Sequence, residues 1–547
     1  MTHPTRNLRA RRVALPLLLW PLLLGLLGAS VWLDNSFNRG ITYRPAPQPL
    51  PWTDGSPLGV NAYNIQFEAD PAKVTRTLEL ARGLGAGYVR LQMPWDDVEI
   101  HAKGDFEDRR NPQHIRSAWE KYDFIIGEAH RLGLEPIVRI DRAPDWSRPQ
   151  ALASELWRAG VARNANATGP PDRYADYADF VGAAAARYRG KVRFFQIWNE
   201  PNLAYEWNWQ RPDPARFVEL LRAASQAVKR ASPEAAVLFP SLAPTDGLEA
   251  SAPLTDLEYL DQVYQAGGRD AFDILSAQAY GLGQPPDEHR YIRVRRPSNW
   301  SWRQPIDTRI DVSRLPLLRE VMERHGDAGK PVWISEFGYN SAPEGVPGRE
   351  LWGPPVSEEQ KGVYLVGQLE RARREWPWVG VMCVWFLRWG GEAPNPDDPT
   401  PYFALADRDF RPLPAYTALQ EYLAARPPAG VGAHVWSHPA VERRPEGWAL
   451  RFEGSALALG GSGAATVSVD GGGAPVAVAL AGPQTPVTVA EGLPDGPHTA
   501  LVQAAAAPEL FVVSRTPPLA WLWTLAPALL IAALLCAGAL AARALAG

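Results

Sequence analysis

Phe194-Phe195-Gln196-Ile197-Trp198-Asn199-Glu200-Pro201-Asn202 joins a short apolar run to a carboxylate flanked by an amide and a proline. The aromatic and β-branched residues from Arg193 to Trp198 read as a buried strand, and Glu200 falls directly after it. A second stretch repeats the pattern: Pro331-Val332-Trp333-Ile334-Ser335-Glu336-Phe337-Gly338. A lone glutamate after a strand is usually a solvated loop residue or a salt-bridge partner. Two of them, each closing an apolar strand, call for a count of the strands around them.

That count decides the fold. Short apolar or β-branched runs alternate with helical patterns between residues 55 and 425: Gly59–Ala62, Tyr88–Met93, Pro136–Ile140, Arg193–Trp198, Ala236–Pro240, Ile274–Tyr280, Pro331–Ser335 and Gly380–Leu387. The helices between them carry start signals. Asp70-Pro71 and Asp213-Pro214 each supply an N-cap followed by proline at the first helical position. Ser357 with Gln360 spells a capping box, and Phe217, Leu221, Ala224 and Val228 form an apolar stripe. Eight strand–helix units predict a (β/α)₈ TIM barrel, with a doubly wound open sheet as the alternative. No glycine-rich phosphate-binding turn follows any strand.

In such a barrel the catalytic groups project from the C-terminal strand ends, which is where Glu200 and Glu336 fall. Cutting a glycosidic bond with retention needs one carboxyl group to protonate the leaving oxygen and another to attack the anomeric carbon. The two must stand about 5–5.5 Å apart. Glutamates ending the fourth and seventh strands can meet across the barrel mouth.

Trp198-Asn199-Glu200-Pro201 and Glu336-Phe337-Gly338 resemble the acid/base and nucleophile motifs of clan A glycoside hydrolases, in particular families 5 and 39. The resemblance covers residues 55–425. It implies a retaining enzyme with Glu200 as acid/base and Glu336 as nucleophile. It further implies that Asn199 bonds the sugar 2-hydroxyl, that Arg90 holds the nucleophile ionised, that Tyr280 bonds Glu336, and that Trp385 floors the sugar subsite. Gln278 departs from the pattern, because histidine is common two residues before the strand-six tyrosine; glutamine donates a hydrogen bond but carries no charge. An N-terminal anchor, a barrel and a trailing β domain also resemble exopolysaccharide-linked endoglycosidases of the family 39 type. Trp95, Trp146, Trp207 and Trp209 follow strand ends, where they either line a sugar cleft or pack.

Both ends read as membrane spans. Val13 to Leu33 is uncharged and leucine-rich, long enough to cross about 30 Å of hydrocarbon, and follows Arg6, Arg9, Arg11 and Arg12. A cleaved signal peptide with Gly28-Ala29-Ser30 as its site is the alternative. Thr516 to Ala542 is uncharged again, with Trp521 and Trp523 near its start and Arg543 after it. Two such anchors place everything between them outside the cytoplasm.

After Arg426-Pro427-Pro428, alanine, glycine and valine dominate. Trp448–Phe452, Ala465–Val469, Val476–Leu480, Pro486–Val489, Thr499–Val502 and Phe511–Val513 predict a small antiparallel β-sandwich over residues 430–514. The segment after strand six is long and basic, with Arg290, Arg293, Arg295, Arg296, Arg303 and Arg309 interleaved with Tyr291, Trp300 and Trp302. It reads as a lid for anionic sugars or lipid headgroups, or as a solvated loop.

Composition agrees with this division. The 547 residues exceed one ordinary core, a net charge of −4 gives no pull toward nucleic acid, and two cysteines, Cys383 and Cys536, make no disulfide framework. No cluster of His, Cys and carboxylates has metal-ligand spacing, so neither cofactor nor metal is expected. The sequence reading is a membrane-anchored hydrolase of a cell-surface or exported polysaccharide. A transglycosidase using the same glutamates and a silent sugar-binding scaffold are its rivals.

Overall fold

The computed structural model describes residues 5–54, 57–164, 166–288 and 310–545; the basic segment from Arg290 to Arg309 lies outside them. Eight parallel strands occur in the expected order: β1 (Leu58–Asn61), β2 (Tyr88–Pro94), β3 (Glu135–Asp141), β4 (Phe194–Ile197), β5 (Ala236–Leu238), β6 (Leu275–Gln278), β7 (Val332–Phe337) and β8 (Val379–Val384). They pair as β5-β4-β3-β2-β1-β8-β7-β6. A parallel bridge from Leu238 to Ile274, with Phe239 N–H donating to Ile274 O at 2.9 Å, joins β5 to β6. The sheet is therefore a closed barrel and not the open alternative.

The helices follow from their caps and stripes. The longer ones are α1 (Thr5–Asn38), α2 (Pro71–Leu84), α3 (Glu120–Arg131), α4 (Tyr174–Arg187), α5 (Pro214–Ala231), α6 (Asp256–Gln265), α7 (Leu315–Arg324), α8 (Glu358–Glu375), α9 (Pro414–Ala424) and α10 (Leu522–Leu545), with α2 to α9 each following one barrel strand. Asp70 accepts from Ala72 N–H and Asp213 from Ala215 and Arg216 N–H, with proline at the first turn of both helices. Phe217, Leu221, Ala224 and Val228 are fully buried. Each large apolar side chain so buried contributes roughly 1.5–3 kcal/mol. The reciprocal box expected at Ser357 is only half formed: Ser357 Oγ accepts from Gln360 N–H, but the Gln360 side chain donates to Tyr364 instead. A complete box sits at Thr255 and Glu258.

Period-two alternation stratifies the barrel interior. Tyr88, Ile137, Phe194, Ala236, Trp333 and Val381 fill its lower layers as one apolar cluster. Two residues further along each of three strands the inward position turns polar, as Arg90, Arg139 and Gln196. The apolar floor fixes the barrel, and the polar storey above it is free for chemistry.

Beyond the barrel, β9 (Gly432–Val435), β10 (Val441–Arg444), β11 (Gly447–Gly454), β12 (Ala456–Val469), β13 (Gly472–Ala490), β14 (Gly496–Ala504) and β15 (Leu510–Ser514) form an antiparallel seven-stranded unit. β12 pairs with β15 through Ala456–Gly460 and with β14 through Ala465–Val469, so one long strand serves both halves around Leu450, Phe452, Leu459, Val502 and Phe511. The two strands expected at Val476–Leu480 and Pro486–Val489 are one strand, β13. It pairs only with β12, and an edge strand tolerates Pro475, Pro483 and Pro486.

Asp54, just before β1, ties this unit to the barrel by accepting Val435 N–H at 2.8 Å and facing His434 Nδ1 at 3.0 Å. The sequence reading found no metal-ligand spacing, yet the fold brings Asp54, His434 and His438 within 4.8 Å. His438 Nδ1 accepts Ala440 N–H, which puts the ring proton on Nε2 and leaves that atom no lone pair for a metal.

At the ends, α1 packs along α10. Asn38 Nδ2 donates to Pro518 O at 3.2 Å and Trp523 Nε1 to Asp34 at 2.9 Å. Arg39 forks onto Glu320 of α7 at 2.7 and 2.6 Å. Among the described residues one helix, Leu522–Ala542, is long and apolar enough to cross a membrane, with mean hydropathy 2.3.

Candidate active site

β4 ends one residue before a sharp change of direction. Trp198 and Glu200 have left-handed backbones, with φ of 68° and 39°, which costs bulky residues energy and persists only when the surroundings enforce it. Here they do. The Trp198 ring is buried edge-on to Tyr177 at 5.4 Å, and its Nε1 donates to Glu206 O at 3.2 Å. Asn202 clamps the far side, exchanging hydrogen bonds with Ala243 N–H and C=O at 3.0 and 2.9 Å. Glu200 is thereby aimed into the mouth, half-buried.

On β7 the register to β6 slips between Ala277 and Gln278, so that Gln278 lies opposite Glu336. The slip aims the Glu336 side chain inward, 5% exposed. Arg90 Nη1 donates to Glu336 Oε1 at 2.9 Å and Tyr280 Oη to its Oε2 at 2.9 Å. Arg90 is itself fixed by Gln196 at 2.7 Å and Asn61 at 2.6 Å. Burial and the neighbouring carboxylates push the Tyr280 phenol well up, so it remains a donor.

Gln278, the departure from the motif, fills its place with an amide: its Nε2 donates to Glu200 Oε1 at 2.6 Å. The Glu200 carboxyl is nevertheless pushed up to about 7, first by burial and then by the charge of Glu336, against the opposing hydrogen bond from Gln278. In the acid role expected of Glu200 the carboxyl must carry its proton, and in that role activity is predicted to fall as pH rises through about 7. Gln278→Leu removes a bond that favours the ionised acid, so the alkaline limb of kcat/KM should move to higher pH. A limb that stays or moves down in a pH–rate profile contradicts that role.

Asn199 and Trp385 also reach the mouth. Arg139 Nη1 donates to Asn199 Oδ1 at 3.0 Å, which turns the amide NH₂ toward Glu206 at 3.2 Å and Glu200 at 3.5 Å. Half-buried Trp385 stands edge-on to Tyr63 at 5.0 Å, in one aromatic cluster with Tyr280. All six expected site residues, Glu200, Glu336, Asn199, Arg90, Tyr280 and Trp385, thus share one mouth.

Sequence reasoning missed Arg139, Asp141 and Glu206. Arg139 Nε pairs with Asp141 at 2.8 Å and its Nη1 approaches Glu336 at 3.7 Å. Glu206 is pushed up to about 8 by burial and by the charges of Glu200 and Asp141. Arg139 and Asp141 had a signal: they are charged residues at alternate positions of a buried strand. Glu206, closing the 3-10 turn Ala204–Glu206, had none. Two tryptophans offered as cleft walls are core: Trp95 is fully buried against Phe180 and Trp207 packs on Phe217.

No protein-family model matches the chain, and no curated protein matches it. Among solved structures it is similar to a family 39 glycoside hydrolase from Bacteroides cellulosilyticus, at 16% identity, 84% of this chain, 83% of that chain and a TM-score of 0.49. It is also similar to a family 39 β-xylosidase from Caulobacter crescentus, at 17% identity, 84% and 98% coverage and a TM-score of 0.46. A family 5 enzyme from Streptomyces cattleya, solved with GlcNAc, is similar at 16% identity, 69% and 83% coverage and a TM-score of 0.45.

Proposed function

We propose that this chain is a retaining glycoside hydrolase of clan A that cuts a β-linked cell-surface or exported polysaccharide. One observation carries the reading. Two carboxyl groups from the ends of β4 and β7 share the mouth in unlike settings, one clasped by Arg90 and Tyr280, the other raised to about 7. Paired carboxyls held in such unlike environments are what acid and nucleophile roles require.

A Glu336 oxygen attacks the anomeric carbon as the bond to the leaving oxygen breaks, and the Glu200 proton passes to that oxygen. Bond formation consumes the charge on Glu336, so Glu200 is left ionised to take a proton from water. The water oxygen then attacks the same carbon, and Glu336 departs as carboxylate. Asn199, its amide set by Arg139, meets the sugar 2-hydroxyl, and Trp385 supports the ring. Turnover of activated aryl β-glycosides by the full chain, lost in Glu336→Gln, tests this directly; an inactive wild-type chain across aryl glycosides and a polysaccharide panel contradicts it.

The proposal includes two anchors, α1 through Val13–Leu33 and α10, with the enzyme outside the cytoplasm. The side-by-side packing of α1 and α10 supports it. The chain should remain in the membrane fraction after a carbonate wash and still do so when truncated after Arg515. Release of the truncated chain would mean that the N-terminal run is cleaved.

A further inference from the structure

The two terminal helices are joined to the barrel and the β domain without slack. Trp523, in the first turn of α10, donates to Asp34 of α1, and the linkers beyond them hold each other, Arg515 N–H donating to Tyr43 O at 2.9 Å. The incoming linker is tied to the barrel. Arg39 forks onto Glu320 of α7, Gly40 O accepts from Trp376 Nε1–H at 2.9 Å, and Thr42 N–H donates to Glu375 O at 2.9 Å at the end of α8. The outgoing linker is tied to the β domain, with Thr516 Oγ1 3.0 Å from Ser455 Oγ and Arg515 paired with Asp495 at 2.8 Å. Backbone held in this way leaves no free length to act as a flexible tether.

These contacts set the height of the barrel over a bilayer. Trp32, Trp521 and Trp523 are exposed at the ends of α1 and α10 nearest the barrel. Tryptophan at the end of an apolar span marks the membrane–water interface. Trp523 holds Asp34 at that level, and Arg39 follows five residues later, about 7.5 Å at helical rise. The polar layer outside the hydrocarbon core is about 5–7.5 Å deep on each side. Glu320, the partner of Arg39, therefore stands at the headgroup layer.

The surface there suits lipid. A cavity of about 670 Å³ lies between the linkers and α8, with Ile41, Tyr43 and Pro518 on one side and Val363 and Tyr364 on the other. Val363 is 66% exposed, an apolar side chain beside the linkers to both spans. The arginines of the cavity are paired, Arg371 with Glu375 at 2.9 Å and Arg515 with Asp495. Such mixed charge meets a zwitterionic headgroup and asks for no anionic lipid.

We propose that the flank formed by α7 and the end of α8 is a membrane-docking surface. It rests on the phospholipid headgroups of the leaflet nearest the enzyme, with a headgroup entering the cavity at Val363. The assignment rests on reading both ends as spans. The enzyme then works in one orientation at a fixed height, on glycan that comes to the membrane surface.

The test uses the full chain in phosphatidylcholine nanodiscs, with Cys536→Ser as background and Val363→Cys or Phe124→Cys added singly. Cys383 is buried and stays unlabelled. Phe124 lies on α3, which follows β2, half the barrel's circumference from α7, which follows β6. An environment-sensitive fluorophore on each cysteine is read with and without nitroxide-labelled headgroups. Fluorescence should be lost at Val363→Cys and kept at Phe124→Cys. Equal loss at both positions, loss at Phe124→Cys alone, or no loss at either overturns the docking surface. Carbonate washing reports the anchors separately. A chain that stays in the membrane with Val363→Cys unquenched disproves the docking alone, whereas a chain that carbonate releases fails at the anchors.

Discussion

Glu336→Gln is expected to lower turnover of the best substrate on the order of 10⁵-fold, in kcat and in kcat/KM alike. The amide keeps the size of the carboxylate, its one oxygen can accept from Arg90 and its NH₂ can donate to the Tyr280 oxygen, so the fold around it should survive. It lacks the charge that attacks the anomeric carbon, so the first displacement has no nucleophile. Arg90 then faces no anion in a site where only 3% of its side chain is exposed, and some loss of thermal stability should accompany the loss of rate. Glu336→Ala opens room beside the sugar, and azide should enter it, restore part of the rate, and give a glycosyl azide of inverted configuration. Wild-type rates in either variant would remove Glu336 from the chemistry.

Glu200→Gln should divide substrates by their leaving groups. Poor leaving groups, including the sugar hydroxyls of a natural chain, need the proton that Glu200 carries, and their rates should fall about 10²–10⁴-fold. Aryl glycosides with acidic phenols depart without help, so the first step should be nearly untouched. Their second step then lacks a base, the glycosyl-enzyme accumulates, and KM should drop with kcat. Azide should relieve that step and give a product of retained configuration, the opposite of its effect at Glu336. An equal loss across a leaving-group series would mean that Glu200 is not the acid.

The barrel was legible because its strands alternate apolar residues with a few polar ones at fixed spacing. All eight strand positions were found, with ends differing by only a few residues from those of the structure. Glu200, just past β4, and Glu336, next to last in β7, were legible because each stands at a strand end inside a motif. Arg139 and Asp141 carried the same period-two signal as Arg90 but stood in no motif, so they passed as strand residues. Glu206 depends on the loop geometry set by Trp198 and Asn202, which no spacing reveals. Tryptophans after strands gave no guide, since burial and sugar stacking ask for the same side chain, and Trp95 and Trp207 went to the core. In the second domain β13 was read as two strands, Val476–Leu480 and Pro486–Val489, because the tolerance of Pro483 on an edge strand depends on neighbours distant in sequence.

The central claim is a double displacement between Glu200 and Glu336, and the stereochemistry of the first-formed product tests it most directly. Carboxyls about 5–5.5 Å apart leave no room for water between nucleophile and sugar, so a covalent intermediate must form and two inversions restore the starting configuration. Proton NMR of the anomeric signal in the first minutes of hydrolysis, before mutarotation, should show the β-anomer from a β-linked substrate. First appearance of the α-anomer would contradict the account, even if both glutamates proved essential.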